Sequence, residues 1–100
     1  MDTARRFRSF CERHGGTVVH VKTGPYLSML CRGVRNLSDV DPSEVLGFLA
    51  NIENEVRKYG KVELGVEGVD PRERFRIAST YDGKRREIHH DVHLSLLERV

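Results

Sequence analysis

The sequence predicts an α+β domain: an antiparallel sheet of about five strands, in the order α-ββ-α-βββ-α, with the long central helix packed on one face. Three observations predict it. Residues 42–59 repeat apolar side chains at helical spacing behind a strong start signal. Residues 61–67 alternate strictly in polarity, with Val62, Leu64 and Val66 on one side and Lys61, Glu63 and Glu67 on the other. Residues 73–81 and 84–90 flank Asp82-Gly83, a pair suited to a two-residue hairpin turn.

The elements follow in chain order. Residues 3–14 form a short helix, capped by Asp2 or Thr3, with Phe7, Phe10 and Cys11 on one face. Gly15-Gly16 stops it. Residues 17–23 are β-branched and read as a strand, with Val19 and Val21 on one face and Val18 and His20 on the other. Residues 26–34 return as its hairpin partner, with Leu27, Met29 and Cys31 in one row. Asp41-Pro42-Ser43-Glu44 opens the central helix: Asp41 accepts from free amides, Pro42 loses no hydrogen bond there, and Glu44 reaches back to the cap. Val45, Leu49, Ile52, Val56 and Tyr59 form its stripe, widened by Leu46 and Phe48, and Gly60 ends it. Asp91 caps a last short helix carrying Leu94, Leu97 and Val100.

The chain of 100 residues suits one domain, residues 1–100. No apolar run approaches the ~20 residues that cross a bilayer, and no charged-then-apolar leader opens the chain. With Cys11 and Cys31 making neither a disulfide framework nor a zinc quartet, the expectation is a soluble, cytoplasmic protein. Net charge is only +2, but thirteen of the seventeen basic residues are Arg. Guanidinium groups pair phosphates and stack on bases. The same bias, with Gln absent, also fits a heat-adapted source.

Five arginines and Lys84 fall between residues 72 and 86. A two-residue turn at Asp82-Gly83 would set Tyr81 opposite Lys84, Ala78 opposite Glu87, Ile77 opposite Ile88 and Arg76 opposite His89. Phe75, Ile77 and Ile88 then enter the core, while Arg74, Arg76, Thr80, Arg85 and His89 emerge together, with Glu87 among them. The leading expectation is therefore a small protein that binds single-stranded DNA or RNA. Arg72, Arg74, Arg76, Lys84, Arg85 and Arg86 would contact phosphate, and Tyr81 and Tyr26 would stack on bases. A plainer reading has the cations only keeping an exposed edge from pairing. The alternative function is an interaction subunit or adaptor that binds a protein through its open sheet face or C-terminal helix.

Catalysis finds less support. His89, His90, Asp91 and His93 are dense, but strand parity keeps His89 and His90 from converging on one metal. A metal-assisted hydrolase is the third reading. A Cys31 thiolate beside His20 lacks an orienting third group. Neither cofactor nor metal is implied, and the expected activity is binding rather than catalysis. The apolar residues from Leu94 to Val100 exceed what two helical turns bury, which leaves two expectations for that segment: docking on the sheet of the same chain, or a homodimer.

Overall fold

The structure, a computed structural model, describes residues 3–70 and 72–94, without the side chains of Pro42, Leu46 and Leu94. Its elements are α1 (Thr3–Arg13), β1 (Thr17–Lys22), β2 (Leu27–Val34), a 3₁₀ turn (Leu37–Asp39), α2 (Pro42–Tyr59), β3 (Lys61–Gly68), β4 (Arg74–Asp82) and β5 (Glu87–Leu94). Among the described residues, no helix is long and apolar enough to cross a membrane.

The five strands lie in sequence order in one sheet. It is mixed, not wholly antiparallel as expected. β1/β2, β3/β4 and β4/β5 pair antiparallel, while β2 and β3 run parallel, with Met29 beside Leu64. The cause is α2. A parallel neighbour needs a crossover of a dozen or more residues, and the helix carries the chain back to the end of the sheet where β2 began.

The start of α2 follows its local chemistry. Asp41 Oδ1 accepts from the Ser43 amide at 2.9 Å, proline occupies the first turn, and Gly60 closes the helix at φ 81. Glu44 does not reach back to the cap. Its carboxylate meets Arg13 at 2.9 Å, tying the end of α1 to the start of α2. At the start of α1, Thr3 is fully buried and donates its backbone N–H to Glu55 Oε1 at 2.7 Å.

Both helices cover one sheet face. Phe7 and Phe10 from α1, and Val45, Phe48, Ile52 and Val56 from α2, bury against the inward rows of β2, β3 and β4. Phe10 touches Phe48 and Phe75 edge-on, with ring centroids 5.6 and 6.0 Å apart.

Cys11 and Cys31 both fall in this core and form a disulfide between α1 and β2. The expectation that the two cysteines make no disulfide framework does not allow for this bridge: a core position on each element brings the sulfurs together. One ground for the cytoplasmic expectation goes with it, because disulfides concentrate in oxidising compartments. Gly16 admits the neighbouring strand. A Cβ there would lie 2.8 Å from Cys31 Sγ and 2.9 Å from Val34 Cγ2.

Two further expectations fail. β1 carries a register shift between Val18 and His20, so Val18 faces the core beside Cys31 while His20 pairs with Leu30 on the opposite face. Val18 and His20 therefore do not share a face. No helix starts at Asp91, because β5 continues to Leu94 and pairs with β4 throughout. Leu97, Val100 and the dimer segment beyond Leu94 lie outside the described residues.

Candidate nucleic-acid interface

The β4/β5 register differs from the expected one. Tyr81 pairs with Ile88, Ile77 with Val92 and Arg76 with His93. Asp82 is the reason. Its Oδ1 accepts from the backbone amides of Lys84 at 3.0 Å and Arg85 at 3.3 Å, which opens the bend into a loop, and Arg86 takes the left-handed backbone at φ 57. The register moves by four residues. That is an even number, so Phe75, Ile77 and Ile88 still face inward and Arg74 and Arg76 outward.

The shift nevertheless divides the expected site. Lys84, Arg85 and Arg86 stand on the loop rather than on a strand. Arg72 and Arg74 lie at the far end of β4, whose nine residues span roughly 26 Å at ~3.3 Å per step. Arg72 is held by Asp70 at 2.9 Å, and this contact raises its pKa. Arg76 is held by Glu63 at 2.9 Å. Arg74 and Arg76 border a shallow groove of about 430 Å³ on the open sheet face, with Leu30, Gly65, Glu67 and His93. The six expected cations thus do not share a surface. The Arg72, Arg74 and Arg76 group sits among carboxylates, while no described carboxylate pairs with Lys84, Arg85 or Arg86 within salt-bridge distance.

The loop has other company. Tyr81 lies on the core-facing row, half-buried, instead of among the arginines. Its backbone N–H donates to the Gly60 carbonyl, so the end of β4 sits against the end of α2. The last turn of α2 carries Arg57 and Lys58, placed where a helix C-terminus favours cations. Lys58 Nζ stands 5.3 Å from the Tyr59 ring centre. Lys61 pairs with Thr80 at the same end of the sheet, and its Nζ lies 5.4 Å over the Tyr26 ring. Lys22 approaches the Tyr26 ring at 4.9 Å.

All three tyrosines of the chain thus lie at one end of the sheet, Tyr26 beneath Lys22 and Lys61 and Tyr59 beneath Lys58, with Arg57 and the loop cations at the same end. The acids nearby are Asp82, committed to the loop amides, Glu87, and Glu63, which takes Lys61 at 3.0 Å. The Lys61 hydrogen bond is the main reason that the Glu63 carboxyl titrates below its ordinary value. Tyr26, Tyr81 and the loop cations are among the residues expected to bind; Tyr59, Arg57, Lys58, Lys61 and Lys22, at the same end, are not. A group drawn from strand ends, a helix end and two loops leaves no local motif.

The other candidates do not assemble. Cys31 is in a disulfide and has no thiolate to offer His20. His90 lies on the helix-covered side of the sheet but is exposed, its Nδ1 2.7 Å from Ser79 Oγ. His89 and His93 lie on the open face, 3.5 and 3.6 Å from Glu87 and Asp91. Among the described residues no group of three or more His, Cys, Asp or Glu side chains is placed to hold a metal. Compared with protein-family models, with curated proteins and with solved structures, the chain matches none.

Proposed function

We propose that this protein binds single-stranded nucleic acid at its tyrosine-bearing end. The observation that supports this reading is that lysine ammonium groups lie over the Tyr26 and Tyr59 rings at the end of the sheet where Tyr81 leads into an exposed Lys84-Arg85-Arg86 run, which no described carboxylate pairs within salt-bridge distance. Phosphates would lie along the loop cations. A base would take the place of an ammonium group over a tyrosine ring, exchanging one π contact for another. Arg72, Arg74 and Arg76, expected from the sequence to share the contact surface, are left out of it.

Fluorescence-anisotropy titration with short single-stranded DNA and RNA tests it. Binding should weaken roughly 50-fold between about 50 and 200 mM salt if four phosphates are engaged. Affinity that is absent at low salt, or indifferent to salt, would reject the reading.

A further inference from the structure

We propose that two copies of this chain join through β5, edge to edge and antiparallel about His90, making one ten-stranded sheet. The proposal is independent of nucleic-acid binding. β5 is a terminal strand of the sheet, and among the described residues nothing pairs with its outer edge. The two edges differ. β1 is irregular at Val18/His20 and ends in Lys22, both features that discourage edge pairing. β5 pairs with β4 through eight consecutive residues without a shift and contains neither proline nor lysine.

The order of its side chains specifies the partner. Glu87, His89, Asp91 and His93 alternate acid and imidazole along the open face, and these side chains are 54%, 67%, 63% and 74% exposed. A two-fold axis through His90 sets Glu87 opposite the partner's His93 and His89 opposite the partner's Asp91. Ile88 meets Val92 on the helix-covered face. Sliding the strands by two residues either way destroys the match. One slip opposes Asp91 to Asp91 and His89 to His93. The other opposes Glu87 to Asp91 and His89 to His89. The strand is therefore complementary to itself in one register, the arrangement an isologous contact requires.

Residues 89 and 91 give the cleanest test, because their β4 partners, Thr80 and Ala78, carry no charge. Sedimentation equilibrium on the full chain at neutral pH should find a dimer. His89→Asp sets two carboxylates face to face at both symmetry-related positions, and Asp91→His sets two imidazoles face to face. Each should raise the dissociation constant at least tenfold. The double variant His89→Asp/Asp91→His restores complementarity and should return it to within about threefold of the starting value. A wild-type chain that stays monomeric at about 0.2 mM, single variants that dimerise unchanged, or a double variant no better than the singles would each overturn the proposal.

Discussion

The backbone N–H of Tyr81 donates to the carbonyl of Gly60 at 3.0 Å, fastening the end of β4 to the residue that closes α2. This bond places the loop carrying Lys84, Arg85 and Arg86 at the same end of the molecule as the last turn of α2, with Arg57 and Lys58. Tyr59 and Tyr81 both pack in part against the core there. Tyr26 joins them through Lys61, which follows Gly60 directly.

Tyr26 should contribute by its ring. Tyr26→Ala should weaken oligonucleotide binding about tenfold, within the range for losing one stacked base, while Tyr26→Phe keeps the ring and the affinity. Titration of both variants against one oligonucleotide checks this. Equal losses would assign the role to the hydroxyl.

Gly16 and Gly47 should respond in opposite directions to the same substitution. Gly16→Ala drives a methyl group against Cys31 Sγ, Val34 and the Arg32 carbonyl, and should lower stability by about 2 kcal/mol. Gly47 lies in α2 and has open space where a methyl group would stand, so Gly47→Ala should raise stability by about 0.5–1 kcal/mol. Urea unfolding of the two variants measures both signs.

The disulfide encloses a segment with a sequence separation of 20, for which chain entropy gives roughly 3 kcal/mol. Cys11→Ala/Cys31→Ala should lower the unfolding midpoint accordingly, and reductant should shift the wild-type chain but leave the variant unmoved. Thermal melts with and without reductant decide it.

Glu63 should give the fold part of its acid sensitivity. Lys61 and Arg76 hold its folded-state pKa below the ordinary value of 4.5. Its contribution is thus complete above the unfolded value and is lost as pH falls through the folded one. Glu63→Gln should flatten the stability profile on the acid side of 4.5 and leave its shape at neutral pH unaltered. Urea midpoints measured across that range provide the comparison.

Much of this fold can be read from single residues. Asp41 and Pro42 mark where α2 starts, Gly60 marks where it stops, and the alternation of Val62, Leu64 and Val66 shows which face of β3 is buried. Strand direction is less legible. Periodicity describes the faces of an element but not its neighbours, and only the length of α2 signalled a crossover between β2 and β3. The cysteines were each legible as core residues, Cys11 in the stripe of α1 and Cys31 in the inner row of β2, but their pairing depends on how helix and strand dock. At the site, Asp82-Gly83 has the composition of a tight turn. What widens it is a side-chain oxygen bonded to two amides, which composition does not distinguish from a bend closed by backbone alone.

The most direct test of the account compares two triple variants in the same salt titration. Lys84→Ala/Arg85→Ala/Arg86→Ala should make the slope of log affinity against log salt shallower by about 2, at ~0.7 per lost phosphate contact. Arg72→Ala/Arg74→Ala/Arg76→Ala should leave that slope as it is. Equal effects from the two variants, or a larger one from the second, would contradict the placement of the binding surface at the tyrosine-bearing end.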